Sequence, residues 1–374
     1  KKFNIHSINA VLGTTYEHFG SSFFNGVGKG FILPYLTYNA IGSGNSALNQ
    51  IGSGASETRL ASYLGRVNYS VLDRYLLTVS MRADGSSRFG PNNRFGYFPS
   101  AAFAWKMHEE KFLKNIPFLN ELKFRASYGA IGNQSIANFL YIPTFAGSAN
   151  AIFGGVRYST IAPTRSENPD LKWESAKQAD AGLDFALFGY RLKGSIEYYH
   201  RKTTDLLLGV PQPPSTGFGD RTENIGSMQN TGMDITISGT PVRTKKFEWN
   251  IDANLSTLKN KVLNLGSAPY IITGGAASVS NVSIIKPGAS LGSFYGYEVI
   301  GVWQEKDNYA NQTGVKPGDL KYKDQNGDNK ITDADRVILG KSLPDFYYGF
   351  TTSFRYSRLE LSVFIEGSQG ASVL

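Results

Sequence analysis

Oxygen-bearing side chains recur at regular spacing in residues 324–335, which read DQNGDNKITDAD. Side-chain oxygens fall at positions 1, 3, 5, 9 and 12, and a backbone carbonyl is available at position 7: Asp324, Asn326, Asp328, Thr332, Asp335 and Lys330. This is the ligand spacing of an EF-hand-type calcium loop, because calcium takes about six to eight oxygen ligands. The sequence therefore predicts a calcium site that stiffens a loop and performs no catalysis.

Two departures leave an alternative open. Position 6 is Asn329 rather than glycine, although asparagine tolerates the left-handed backbone that this position needs. Position 12 is Asp335 rather than glutamate, so a bidentate closure would have a shorter reach. The alternative is an Asx-rich turn, in which the same side chains bond to their own backbone.

No other group of residues has the spacing of a catalytic or nucleic-acid site. The four histidines are far apart in the sequence: His6, His18, His108 and His200. No Ser-His-Asp set or phosphate loop is present, so an enzyme is not expected. The net charge of +8 is scattered rather than gathered into a basic stripe, which argues against nucleic-acid binding. The absence of cysteine fits a chain that crosses an oxidising compartment without disulfides.

The elements that must carry this loop are β-strands. In FEWNIDANLST (247–257), apolar and polar residues alternate with a period of two, which is typical of a strand. Similar alternation predicts eleven strands, near residues 2–17, 57–69, 74–84, 97–107, 121–131, 176–188, 191–203, 228–241, 246–258, 346–356 and 358–368. No run of about 18 apolar residues occurs, so a transmembrane helix is excluded.

The lengths of the links favour a membrane barrel over a soluble sandwich. Long links (18–56, 132–175, 204–227 and 259–345) alternate with short ones, as in an up-and-down barrel with short periplasmic turns and long extracellular loops. The apolar faces would then meet lipid, and aromatic pairs near strand ends, such as Tyr97 with Phe98 and Tyr198 with Tyr199, would form interfacial girdles. Since eleven strands is odd and neither terminal strand has a closing partner, we expect residues 1–374 to be part of a larger barrel.

Five segments carry a family resemblance. They are RADGSSRFGPNNRFGYFPSAAFAWKMHEEKFL (82–113), LKFRASYGAIGNQ (122–134), NPDLKWESAKQADAGLDFALF (168–188), PGDLKYKDQNGDNKITDADRVILGKSLPDFYYGF (317–350) and FIEGSQG (364–370). In this order they resemble the SusC/RagA-type TonB-dependent outer-membrane transporters of Bacteroidetes. The resemblance implies an all-β, antiparallel section of a 22-stranded transmembrane barrel, with 259–345 as a long extracellular loop.

The resemblance also implies a function. It implies active import of a glycan or peptide oligomer across the bacterial outer membrane, with a SusD-like surface lipoprotein over the outer mouth and TonB acting through a plug region. Two other readings stay open: a passive outer-membrane porin or adhesin barrel, and a secreted soluble β-protein stabilised by calcium. Exposed loop aromatics such as Tyr35, Tyr141 and Tyr295 are candidates for sugar contacts.

Overall fold

The computed structural model describes residues 2–276, 279–307 and 314–373, which fold almost entirely as β-strands. The strands are β1 (Lys2–Phe3), β2 (His6–Val27), β3 (Gln50–Val71), β4 (Tyr75–Ser86), β5 (Phe95–Lys106), β6 (Leu119–Asn133), β7 (Thr144–Phe153), β8 (Val156–Arg165), β9 (Glu174–Leu187), β10 (Leu192–Pro211), β11 (Asp220–Arg243), β12 (Phe247–Thr257), β13 (Lys259–Leu265), β14 (Ile271–Ala276), β15 (Val279–Ile285), β16 (Ser293–Tyr297), β17 (Val299–Val302), β18 (Leu320–Tyr322), β19 (Arg336–Lys341), β20 (Phe346–Tyr356) and β21 (Leu359–Gln369). Short 3₁₀ segments occupy Pro34–Ser43, Met107–Glu109, Pro214–Thr216 and Asp333–Asp335. No helix in the described ranges is long and apolar enough to cross a membrane.

One large antiparallel sheet dominates the described structure. Its strand order is β1-β2-β3-β4-β5-β6-β9-β10-β11-β12-β20-β21, and β13 joins it beside β11. Apart from β1 and β13, each of its strands overlaps one of the eleven predicted from the sequence. Neighbouring strands in the sheet are successive wall strands along the chain, so the prediction of an all-β, antiparallel, up-and-down wall is confirmed.

Tight turns connect neighbouring strands at one end of this sheet. The turn between β3 and β4 places both Leu72 and Asp73 in the left-handed region, with φ of 55° and 53°. Ser357, between β20 and β21, also has a positive φ of 56°. Two successive left-handed residues give the backbone twist that matches the twist of the flanking strands. These turns hold adjacent strands in a fixed register without glycine.

The register places the alternating apolar residues on one face, here called the apolar face. A row of directly paired residues runs across seven strands: Tyr69, Leu77, Phe103, Ala126, Ala181, Tyr198 and Met233. Leu77 is 41% exposed and Tyr198 is 51% exposed, although both belong to this apolar row. The other face, here called the polar face, carries the intervening polar and charged side chains. A sheet with so much exposed apolar surface on one side requires an apolar surrounding.

Four wall strands are much longer than the apolar stripe that they carry. β11 has 24 residues, yet its alternating apolar residues are confined to Met233, Ile235 and Ile237. Beyond this stripe, β11 pairs with β10 as far as Asp220 and with β13 as far as Gly226. A membrane-spanning strand needs only about 9–11 residues. The wall therefore continues well past the apolar stripe, on the side away from the tight turns.

A small hydrophobic core lies on the polar face, beneath the links that follow β4 and β8. Phe89, Phe98, Leu171 and Trp173 form it, and Phe89 and Leu171 are fully buried. The Trp173 ring centroid lies 5.0 Å from that of Phe89 and 5.4 Å from that of Phe98. The expectation that Phe98 belongs to an aromatic girdle is therefore wrong. Consecutive strand residues point to opposite faces, so Tyr97 is exposed on the apolar face while Phe98 is buried on the polar face.

The long link between β12 and β20 is folded rather than irregular. After β13, it forms a four-stranded sheet in the order β14-β15-β16-β19 and the two-stranded ribbon β17-β18. Residues 277–278 and 308–313 of this link lie outside the described residues. At its base, the Leu258 N–H donates a hydrogen bond of 2.9 Å to the Asp345 carbonyl, directly after the last β12–β20 pair. The link thus leaves and rejoins the wall at one point.

Candidate functional site

The charged residues of the polar face form linked ion pairs across neighbouring strands. On β6 and β9, Lys123 Nζ lies 2.8 Å from Asp184 Oδ2, and Arg125 Nε lies 3.1 Å from Asp184 Oδ1. Arg125 also pairs with Glu197 on β10. All of these side chains are between 23% and 34% exposed. Three strands are therefore joined by a chain of alternating charge that is open to the space on the polar face.

Two other acidic residues of this face are held by short hydrogen bonds. Asp180 accepts from the Ser127 hydroxyl at 2.9 Å and from the Gln178 amide at 2.7 Å. Asp252 accepts from Ser238 at 2.6 Å. These carboxylates are thus engaged by wall side chains, and a ligand that approached them would compete with existing partners.

Arg82 and Asp84 form a second pair on β4. Arg82 Nε lies 2.7 Å from Asp84 Oδ1, and the Arg82 guanidinium also donates to Ser62 at 3.1 Å. Ser62 is fully buried and Asp84 is 6% exposed, whereas the Arg82 side chain is 45% exposed. The arginine thus presents donors to the polar face from a fixed base.

A recess of about 260 Å³ opens beside the first ion-pair chain. Its lining on the polar face combines Arg125, Ser127 and Asp180 with the small residues Ala102 and Gly182. Small side chains next to fixed charges leave room for a polar group of a ligand or of another protein segment to enter. Amino-acid sequence alone did not single out this recess, because its residues come from strands far apart in the chain.

The predicted calcium loop is ordered by its own side chains. Asp324 accepts from the Gly327 N–H and the Asn329 N–H, both at 2.7 Å. Asn326 Oδ1 accepts from the Asp328 N–H at 2.9 Å, and Asp328 Oδ1 accepts from the Lys330 N–H at 2.8 Å. These are the Asx-type bonds of the alternative reading. They also turn the backbone into a tight spiral, as a calcium loop requires.

Asn329 adopts the backbone that position 6 demands, with a φ of 63°. The left-handed backbone that glycine provides at position 6 of such a loop is thus provided here by an asparagine. Within the described residues, no three His, Cys, Asp or Glu side chains are gathered closely enough to hold a metal ion. The predicted ligand set also uses an amide, a hydroxyl and a carbonyl oxygen, so the calcium site stays a prediction.

Asp335, the predicted ligand at position 12, closes the loop from within. Its carboxylate is fully buried and accepts from the Thr332 N–H at 2.8 Å and the Gln325 N–H at 2.9 Å. These backbone donors, the Thr332 N–H first, hold the pKa of Asp335 below its usual range, although burial acts in the opposite direction. Thr332 and Asp335 form a capping box around the 333–335 turn. The two ends of the loop are thus joined through one carboxylate.

Aromatic residues near this loop are partly covered by cations. Lys321 Nζ lies 4.5 Å from the centre of the Trp303 ring, and the Arg336 guanidinium lies 4.5 Å from that of Tyr295. Tyr141, another sugar-contact candidate, packs against the small hydrophobic core, whereas Tyr35 is 72% exposed. Of these three candidates, Tyr35 presents the largest exposed surface. The contact between Trp303 and Lys321 was not predicted from the sequence.

Comparison with known proteins places this wall in a family. The family model described as "TonB dependent receptor-like, beta-barrel" matches residues 3–364. TonB-dependent receptor P3 of Formosa agariphila is 35% identical over 382 residues, covering 100% of this chain and 38% of the relative. TonB-dependent receptor SusC of Bacteroides thetaiotaomicron is 38% identical over 326 residues, covering 84% of this chain and 31% of SusC. The chain thus spans less than two fifths of these curated relatives.

Solved structures share the fold. The RagAB peptide transporter matches with a TM-score of 0.79 at 24% identity, covering 97% of this chain and 39% of the matched chain. The outer membrane transporter YddB of Escherichia coli matches with a TM-score of 0.51 at 11% identity. The resemblance to SusC/RagA-type proteins is confirmed, as is the expectation that the chain is not an enzyme. The chain belongs to the TonB-dependent receptor-like β-barrel family, and its large sheet is a section of an outer-membrane barrel wall.

Proposed function

We propose that this chain forms part of the wall of an active importer for oligomeric nutrients, either peptides or glycans. The observation that carries the proposal is the polar face, where fixed charges from β4, β6, β9 and β10 line one continuous surface. In a barrel wall, this face borders the lumen because the apolar face meets lipid. The 38% identity to SusC and the fold shared with the RagAB peptide transporter support the same reading.

The partners that we propose are those that the resemblance to SusC/RagA-type transporters implies. A SusD-like surface lipoprotein would cover the mouth on the side of the long links, and TonB would supply energy through a plug region. Residues 1–374 would belong to the barrel domain, with 259–345 forming an extracellular loop. The long strands that extend past the apolar stripe support this orientation, since extracellular loops exceed periplasmic turns in such barrels.

The experiment that tests the proposal is uptake by cells with the intact protein, supplied with fluorescent oligopeptides or oligosaccharides in separate arms. Active import predicts that accumulation of one class stops when TonB is deleted, although the barrel remains in the outer membrane. Uptake that persists without TonB would instead indicate a passive pore. Absence of uptake for both classes, with the barrel correctly inserted, would contradict the proposal.

We also propose that residues 324–335 bind calcium and so stiffen the 259–345 loop. The oxygen donors, the tight spiral and the left-handed Asn329 support a site of this kind. The substitutions Asp324→Asn and Asp328→Asn together should abolish calcium binding by the intact protein in isothermal titration calorimetry. Calcium should also slow proteolysis of the loop in the wild type but not in the double variant.

A Lys306→Gln variant, in the same link but outside the spiral, is the control and should bind calcium normally. Equal protection from proteolysis with and without calcium in the wild type would leave only the Asx-rich turn.

A further inference from the structure

A row of lysines crosses the apolar face of the wall, just beyond its apolar stripe. The pairing register places Lys177 of β9 directly opposite Lys202 of β10. Lys202 is opposite Gln229 of β11, which is in turn opposite Lys261 of β13. All three lysines are exposed. Because directly paired residues share a face, the three ammonium groups project from the same side of the sheet.

These lysines have no acidic partner in the part of the chain that the structure describes. Among the described residues, none of the three takes part in an ion pair. The residues two positions away from these lysines and from Gln229 along their strands carry no carboxylate: Ser175, Ala179, His200, Thr204, Ser227, Thr231, Lys259 and Leu263. The next acidic residue on β10, Asp205, pairs with Lys172 at 3.0 Å. Near Lys259, the Asp345 carboxylate pairs with Lys341.

Directly opposed like charges destabilise a sheet. Lys177 and Lys202 occupy such a pair, where Cβ atoms are roughly 4.5–5.5 Å apart. A bound anion would relieve this repulsion.

The position of the row identifies the surroundings of that anion. Tyr198 lies on the same strand and the same face as Lys202, four residues nearer to the tight turns, and it is 51% exposed. Four residues of a strand tilted by about 40° rise roughly 10 Å along the membrane normal. Aromatic residues mark the interface between hydrocarbon and headgroups. The lysines therefore lie at headgroup height on the surface that faces lipid.

We infer that Lys177, Lys202 and Lys261 bind the phosphate groups of a lipid headgroup in the leaflet on the side of the long links. Lysine is a flexible cation with three donors, and its stem packs along apolar surface while its head reaches a charged group. This inference needs the apolar face to meet lipid, but it does not depend on transport, cargo or TonB. It assigns a function to the outside of the wall, which the proposed import path does not use.

The test measures lipid binding to the intact protein in detergent by native mass spectrometry. The probes are diphosphorylated lipid A and the same lipid without its phosphates. The test variant combines K177Q, K202Q and K261Q. The matched control combines K286Q, K306Q and K316Q, which removes the same charge from exposed lysines of the 258–345 link.

We expect the wild type and the control to prefer the phosphorylated lipid. The triple variant should lose roughly 100-fold in affinity for it, since each lysine near a membrane surface contributes a several-fold factor. Salt should weaken the preference in the wild type. Equal binding of both lipids by the wild type would overturn the inference, even if the triple variant failed to fold. An equal loss in the control and in the test variant would also overturn it.

Discussion

The role of a single residue in this wall can be assigned only when the face to which its side chain points is known. Tyr97 and Phe98 are consecutive and equally aromatic, yet the former is 64% exposed and the latter 9% exposed. Phe98 meets Trp173, whose indole N–H donates to the Arg94 carbonyl at 2.9 Å. One aromatic of the pair thus serves the lipid side, and the other anchors two links onto the polar face.

Trp173 should be the most sensitive residue of that small core. We expect Trp173→Ala to reduce the free energy of unfolding by about 3–5 kcal/mol, because a large buried ring is lost. Trp173→Phe should cost only about 1 kcal/mol, the net value of one hydrogen bond. Urea unfolding in phospholipid vesicles measures both. Phe112→Ala is the control, since Phe112 is 67% exposed and should shift stability by less than about 0.5 kcal/mol.

Glu110, in the 107–118 link, connects β4 and β5 through its carboxylate. Its carboxylate accepts from the Tyr75 hydroxyl at 2.7 Å and from the Trp105 indole at 3.1 Å, and Arg74 pairs with it at 3.3 Å. The Tyr75 hydrogen bond, followed by that of Trp105, lowers the pKa of Glu110 below its usual range.

This lowered pKa has a defined consequence for stability. Because the folded pKa is depressed, the contribution of Glu110 is fully present above its ordinary pKa of about 4.3 and is lost as the pH falls through the folded value. Trp105 fluorescence should therefore stay constant from neutral pH to below about pH 4.3 and change only in stronger acid. In Glu110→Gln the fluorescence should be independent of pH in this range. A transition above the ordinary pKa in the wild type would contradict this account.

Several strands of this wall extend beyond the residues in which apolar and polar side chains alternate. Alternation predicts a strand at 57–69, whereas β3 runs from Gln50 to Val71; it predicts 228–241, whereas β11 runs from Asp220 to Arg243. The larger errors lie on the side of the long links, where the apolar alternation disappears. β20, which follows the long link and ends at the tight turn of Ser357, begins and ends at the predicted residues 346 and 356.

The same physical reason explains what was missed in the links. The β7–β8 hairpin, the sheet of the 258–345 link and the core around Leu171 have no long apolar period that identifies them in advance. Their partners are distant in sequence: Asn224 Oδ1 accepts from the Lys172 N–H at 2.9 Å, and its amide donates to the Lys172 carbonyl at 2.7 Å. Asn224 thus pairs with the Lys172 backbone as a residue of a neighbouring strand would. The 324–335 loop, in contrast, was identifiable because the spacing of its oxygen-bearing side chains is local in the sequence.

Asn224 should control the mobility of this connection between β8 and β9. We expect Asn224→Ala to accelerate tryptic cleavage after Lys172 at least several-fold, because both backbone bonds to the link are lost. Asn92→Ala is the control, since Asn92 makes a single long bond of 3.4 Å to Asp170. Equal cleavage rates in the two variants would show that the core around Trp173 holds the link alone.

At the scale of the whole molecule, the two faces of the sheet differ: one is continuously apolar, and the other carries ion pairs. The apolar face is continuous from β2 to β21 because the pairing register places the apolar-face residues of each strand opposite those of its neighbours. A slip of one residue in any pair would bring charged side chains into lipid. The ion pairs on the polar face and the tight turns at one end of the strands both oppose such slips.

Two adjacent alanines test the assignment of these faces. Ala101 pairs with Val79 and Tyr128 on the apolar face, whereas Ala102 pairs with Thr78 and Ser127 on the polar face. We expect Ala101→Lys to destabilise the inserted barrel by up to about 2–4 kcal/mol, because a lysine on the lipid face costs most at the bilayer midplane and less toward the interfaces. Ala102→Lys should change stability much less.

Unfolding in phospholipid vesicles compares the two variants under the same conditions. A larger loss for Ala102→Lys than for Ala101→Lys would mean that the assignment of the faces is reversed.

The hydrogen bond between Leu258 and Asp345 has a consequence for how such barrels diversify. Because Thr257 already pairs with Phe346, the β12–β20 hairpin is complete before the link begins. Beyond β13, which still pairs with β11, the rest of the link is an excursion from a closed hairpin, so its length does not alter the β12–β20 register. An insertion or deletion in the part of the link that follows β13 would therefore leave the paired ends of this hairpin in place. Related barrels of this design would then differ in this connection while they keep the same hairpin.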